Sequence, residues 1–235
     1  MVPDRARQEN QRQPLAARRT PADSCGAMSN EVLFSDELKA KVADAVRAVE
    51  AVSSAEVVVT VRRRSCRYRE ADYLCGFVAA LLTLVALLYL PQEFALHWMV
   101  PDVVLGFALG TLLASRWSAL RRLLVPAARM RSAVGRAAKV AFVDLGISRT
   151  SGRTGILIYV SALERLVEVV ADVGVLGAKP GKAWDEAVAR LGGALRTGAA
   201  GERLLGALAA LGPALRDALP RADNDINELP DEVQT

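Results

Sequence analysis

The chain has 235 residues, 52 % of them hydrophobic and only 5 % aromatic, with a formal charge of +4 and a pI near 9.2. That length allows one ordinary domain plus extras. A nucleic-acid binder is not indicated, because the basic residues crowd beside an apolar stretch, where a membrane protein puts them. The three cysteines (Cys25, Cys66, Cys75) form no CxxC spacing and His97 is the only histidine, so a disulfide framework, a zinc site and a histidine-based triad are excluded.

Residues 1–34 are rich in Arg, Gln and Pro, lack a signal-peptide core, and are expected to form a disordered arm. Met28 stands as an alternative start to Met1. Ser35 is placed to cap a helix reaching about Val52, with Leu38, Val42, Ala45, Val46 and Val49 on its buried face. Glu56–Val61 is short and β-branched and predicts a strand covered on both faces.

Five arginines (Arg62, Arg63, Arg64, Arg67, Arg69) precede Tyr73–Leu90, which carries no formal charge over 18 residues. At about 1.5 Å per residue this approaches the roughly 30 Å of a bilayer core. A second apolar run, Val100–Trp117, has an uncharged centre of 13 residues, Val103–Ser115, suited to the return leg of a hairpin with Asp102 near the interface. Tyr73 and Trp117 bracket the hairpin, and the small residues Gly76, Gly106 and Gly110 permit close helix approach, the last two as GxxxG. The alternative is that both are core helices of a soluble protein. Arginines flank the hairpin on both sides, from Arg62 to Arg69 and from Arg116 to Lys139, whereas the loop between the crossings has Glu93 and Asp102 and no Lys or Arg. The positive-inside rule therefore predicts a multi-pass protein of the bacterial inner (cytoplasmic) membrane with both termini cytoplasmic, its basic flanks against anionic headgroups.

Ala127–Leu145 predicts a basic amphipathic helix with Met130, Val134, Ala137, Ala141 and Leu145 on one face, lying at the interface or covering the sheet, and Gly146 is its expected stop. The polar loop 149–155 is read as solvated and membrane-facing. It leads into a strand, Ile156–Val160; residues 161–164 turn, and Arg165–Ala171 returns antiparallel. Lys182–Arg196 and Glu202–Leu219 predict two further helices, the second interrupted by Pro213. The expected division is 1–34 arm, 35–70 first part of the domain, 71–118 hairpin, 119–222 second part, and 223–235 acidic tail.

Several segments taken together, Ser54-Ala-Glu-Val, Leu145-Gly-Ile-Ser-Arg-Thr, Gly152-Arg-Thr-Gly-Ile-Leu-Ile, Glu164-Arg-Leu-Val-Glu-Val, Ala171-Asp-Val-Gly, Trp184 and Asn227-Glu-Leu-Pro-Asp, resemble the TPM domain family. Within it they are similar to a bacterial membrane subgroup whose domain is split by a hydrophobic hairpin after the first strand. The match spans about Ser35 to the end of the sequence; the glycine-to-strand and NELPD segments are its most specific parts. The resemblance implies an α/β fold, a three-layer α/β/α sandwich with a small mixed sheet, here interrupted by a two-helix transmembrane hairpin. It implies function only loosely. The family includes a thylakoid acid phosphatase linked to photosystem II repair, a nematode receptor-associated protein and many bacterial proteins of unknown role, and some members bind calcium through acidic residues and backbone oxygens. The hairpin and the cytoplasmic placement are departures from the better-known members.

Asp172 and Asp144, with the hydroxyls of Thr150, Ser151 and Thr154, offer oxygen ligands of the kind a hard cation such as calcium takes; the alternative is that Asp172 caps a turn. Arg149, Arg153 and Thr154, with Arg165, can hold a phosphate by charge-assisted hydrogen bonds, although residues 151–155 form no P-loop. Glu164 and Glu168 are read as surface residues, Cys25, Cys66 and His97 as incidental, and Trp184 as core. The acidic tail is expected to be solvated, with docking through Ile226 and Leu229 as the alternative. The expected function is an interaction or assembly module on the bilayer, with other membrane proteins as partners and no nucleic acid. The alternative is a metal-dependent phosphatase using calcium or magnesium, with Asp172 as metal ligand or nucleophile.

Overall fold

The computed structural model describes residues 35–90, 96–196, 199–221, 229 and 233–234. The N-terminal arm, Ile226 and most of the acidic tail therefore lie outside the described residues.

Helix α1 (Asp36–Glu50) begins where Ser35 accepts a hydrogen bond from the Leu38 amide, and its apolar stripe buries Leu38, Val42, Val46 and Val49. Full burial of each such side chain stabilises by about 1.5–3 kcal/mol. Strand β1 (Glu56–Arg62) follows, buried along all but its last residue. Next come two long helices, α2 (Arg69–Tyr89) and α3 (Leu96–Arg116), then a short α4 (Ser118–Leu124) and the amphipathic α5 (Ala127–Asp144). Strands β2 (Gly155–Ser161) and β3 (Leu166–Ala171) make the hairpin of the sheet. Helices α6 (Val173–Ala178), α7 (Gly181–Gly193), α8 (Ala200–Ala209) and α9 (Leu211–Arg216) complete the described chain. Pro213 sits in the first turn of α9, where its missing N–H costs least; the predicted single helix is two.

The sheet is mixed, in the order β1-β2-β3. Strand β1 runs parallel to β2, Glu56 opposite Gly155 and Arg62 opposite Ser161, and β3 returns antiparallel to β2. Alternate residues serve two apolar clusters. Val57, Val59, Val61, Ile156, Ile158 and Val160 pack with α1, α7, α8 and α9, including Trp184. Val58, Leu157 and Tyr159 pack with Val134, Ala138 and Phe142 of α5. The buried face of α5 includes Ala133, Ala138 and Phe142, whereas the expected Ala137, Ala141 and Leu145 are only partly buried. Gln234 lies along β1, donating to the Val59 carbonyl and accepting from the Val61 amide, and Leu229 packs on the α5 cluster. These two residues of the tail are therefore docked, closing a length of strand edge that would otherwise be open to pairing.

Helices α2 and α3 are long and apolar enough to cross a membrane, and of their most apolar windows only 22 % and 6 % is buried. Neither helix is packed inside the chain as a core helix would be. Phe77, Leu82, Leu88, Val104 and Leu112 are all exposed, an apolar surface of the kind that marks a contact with another protein or a membrane. The two helices pack through glycine. A Cβ added at Gly110 would meet the Ala79 Cβ at 2.5 Å, and one at Gly76 the Thr111 hydroxyl at 2.1 Å. Helix α3 starts at Leu96, before Pro101, so that proline lies inside the helix instead of at its threshold.

Candidate functional site

The parallel pairing of β1 with β2 fixes two ends of the sheet. The chain leaves β1 at Arg62 for the hairpin, so Ser161, the turn 162–165 and Leu166 share the hairpin end. Gly155, Ala171 and the loop before Gly155 lie at the other end. Loop 149–155 is thus at the end of the sheet opposite the hairpin, a placement that register, which sequence does not print, decides.

At the remote end the structure brings two predicted residues together. The Arg153 guanidinium makes a two-pronged ion pair with Asp172, Nε to Oδ2 at 2.8 Å and Nη2 to Oδ1 at 2.9 Å. Asp172 is buried and caps α6 by accepting from the Val173 amide at 2.7 Å. Arg153 holds its carboxyl below the ordinary aspartate range, against the upward push of burial. The backbone joins the same contact: Gly174 donates to the Arg153 carbonyl at 2.9 Å, and a Cβ there would stand 2.5 Å from it. Arg149 ends a single 3-10 turn, Ile147–Arg149, and its side chain is exposed. Thr154 contributes its carbonyl to the Glu56 amide, while the buried Thr150 hydroxyl has no partner among the described residues. Asp144, exposed at the end of α5, lines a groove of about 400 Å³ with Arg62, Ser65, Arg136 and Tyr159. Among the described residues no three His, Cys, Asp or Glu side chains gather as a metal would require. The one cation and one anion best placed to hold a ligand here hold each other.

The hairpin end carries a constellation that the sequence reading missed. Glu164 is buried, not a surface residue. Its Oε1 accepts from the Ser65 amide at 3.1 Å and the Tyr68 hydroxyl at 2.9 Å, and its Oε2 accepts from the Ser161 hydroxyl at 2.5 Å. Burial, and then the Glu164 carboxylate, push the Tyr68 phenol well above its ordinary value. Glu168 is half-buried, its carboxylate 3.7 Å from the position a Gly135 Cβ would take. Asp72, on the first turn of α2, takes both prongs of Arg121 from α4 at 2.8 Å each, with both side chains nearly buried. Glu70 pairs with Arg129 of α5. Between them Tyr68, Ala71, Val125, Met130, Ala133 and Leu163 form a small apolar cluster. Glu164 therefore ties the residues entering α2 to the turn of the sheet, and the Asp72–Arg121 pair ties α2 to α4, the helix that follows α3. A bare glutamate in a turn gives no warning of this; Tyr68 and Ser65 beside an arginine run were the available signal.

The architecture defines a class: a mixed α/β domain with a three-stranded sheet, from one end of which two long apolar helices depart. No family model and no curated protein matches the chain. Among solved structures it is similar to the NMR structure of BA42 protein from the psychrophilic bacterium Bizionia argentinensis, with a TM-score of 0.51 at 17 % sequence identity over 86 % of this chain and 94 % of that one. At that identity the likeness concerns the fold alone.

Proposed function

We propose that this chain is a membrane-anchored, TPM-like domain that serves as an interaction or assembly module at the cytoplasmic face of a bacterial inner membrane. In this reading the two apolar clusters and the sheet between them form a three-layer α/β/α sandwich, and α2 and α3 are the anchor. The observation that carries the reading is the attachment: the entry to an exposed apolar hairpin is tied to the sheet by Glu164 and Tyr68, and its first leg is tied by Asp72 to Arg121 of the helix that follows its second. A domain so held keeps one face at the bilayer, which suits partners confined to the same membrane. Its bilayer orientation follows from the arginine flanks.

The family resemblance offers a metal-dependent phosphatase as the second candidate. A nucleophilic or metal-binding Asp172 would first have to give up Arg153 and its cap on α6, and this favours the module. The test is phosphate release from p-nitrophenyl phosphate by the purified full chain, with and without calcium or magnesium. No turnover above a blank is expected. Turnover that disappears in Asp172→Asn, with the fold retained, overturns the proposal.

A further inference from the structure

The turn at the hairpin end holds an arginine where the backbone favours glycine. Arg165 closes the β2–β3 turn at φ 52°, in the left-handed region, a conformation that costs a non-glycine residue free energy. The flanking Leu163 and Leu166 pack on Tyr68, Val125 and Met130, so the turn is pressed against the end of α4. On α4, Arg121 is consumed by Asp72, but its neighbour Arg122 is half-buried, three residues before the Val125 that packs in the cluster holding Leu163 and Leu166. Neither Arg122 nor Arg165 has an ion pair or hydrogen bond to another described residue. The carboxylate next in sequence, Glu164, is taken up by Ser65, Tyr68 and Ser161. Burial, and then the like charge of Arg165, hold Arg122 below the ordinary arginine value. Two half-buried guanidiniums on segments packed in one cluster, neither paired with an acid among the described residues, call for an anion.

The surroundings say which one. Trp117, Leu123 and Leu124 of this same corner are exposed, an apolar rim of the kind that sits at a lipid–water boundary. We propose that Arg122 and Arg165 together bind the phosphate of an anionic glycerophospholipid headgroup. Planar guanidiniums match phosphate oxygens with paired, charge-assisted hydrogen bonds. A zwitterionic headgroup brings its own ammonium and has less use for them. The inference rests on the membrane anchoring proposed above and names the lipid that the anchored domain selects.

The test is native mass spectrometry of the full chain in detergent, scoring one-to-one retention of phosphatidylglycerol against phosphatidylcholine. The wild-type chain is expected to prefer phosphatidylglycerol by about tenfold. Arg122→Gln/Arg165→Gln should abolish the preference, and Arg64→Gln/Arg67→Gln, which removes the same charge from exposed positions, should keep it. Arg165→Gly separates binding from folding: it should lose the preference while its melting temperature holds or rises, because the turn is relaxed. A preference that survives in Arg122→Gln/Arg165→Gln, or falls equally in Arg64→Gln/Arg67→Gln, overturns the proposal. Inorganic phosphate forms a second arm. If it binds at these arginines and phosphatidylglycerol does not, the site takes free phosphate and the lipid assignment is overturned. Carbonate extraction of membranes reads the anchoring separately: an inserted chain without headgroup preference refutes the lipid site alone, and a chain released into the wash refutes the anchoring.

Discussion

At the scale of single residues, two buried carboxylates carry more of the structure than their surroundings in sequence suggest. Glu164→Ala should lower stability by about 1–3 kcal/mol, because the Ser65 amide and two hydroxyls lose their acceptor. Thermal unfolding of the full chain in detergent measures this, and an unchanged midpoint would refute the role given to Glu164. Asp172 carries a pH dependence. Its folded pKa is depressed by Arg153, so the stability it contributes is complete above the unfolded value of about 3.9 and is lost as pH falls through the lower folded one. In Arg153→Gln only burial remains to oppose the Val173 hydrogen bond, and the acid-side loss should begin at higher pH. Melting curves across the acid range for both chains test it; superimposable pH profiles would contradict the pairing. Sequence singled out Asp172, by its place at a strand end, and separately Arg153. It could not show them together, because their meeting depends on a left-handed backbone at Arg153 and on Gly174 lying against it. Glu164 was misread for a related reason: its partners Ser65 and Tyr68 are 99 and 96 residues away in the chain.

At the scale of elements, the hairpin and its footing are separable. Gly110→Leu should part α2 from α3, since even a Cβ there meets Ala79 at 2.5 Å and the Cys75 carbonyl at 3.0 Å. Asp72→Ala should instead loosen the footing. Stranding Arg121 nearly buried is expected to cost about 3–5 kcal/mol at the upper end of such effects. The reversed pair, Asp72→Arg with Arg121→Asp, should recover part of that loss in the same melting assay; a double variant no better than the single one would sink the footing argument. Long elements were legible because periodicity accumulates: α1, β1, β2, α7 and both long helices lie close to where the pattern puts them. Helices α4 and α6, with 7 and 6 residues, are too short to repeat a face. The alanine-rich α5 was placed with its face partly misassigned because methyl side chains mark the stripe faintly.

At the scale of the molecule, the orientation proposed for the hairpin makes a plain prediction. A reporter active only in the cytoplasm should work at the C-terminus and fail when inserted at residues 91–95, and the reverse pattern would refute the orientation. The sequence supported the hairpin as an insertion within one domain, and the pairing of β1 with β2 across it agrees. What it withheld was direction. Only the parallel register reveals that the turn 162–165 joins the hairpin at one end of the sheet while loop 149–155 sits at the other.

That register also sets a timetable. Ser65 emerges from the ribosome 99 residues ahead of Glu164, a lag of on the order of 5–20 s at about 5–20 residues per second. Throughout that interval β1 is synthesised but has no β2 beside it, while α2 and α3 are already available to the insertion machinery. With the hairpin inserted as proposed, the soluble domain closes last, at the membrane surface, and cannot be finished in advance and delivered there. Completion of the sheet then becomes a record that insertion has taken place.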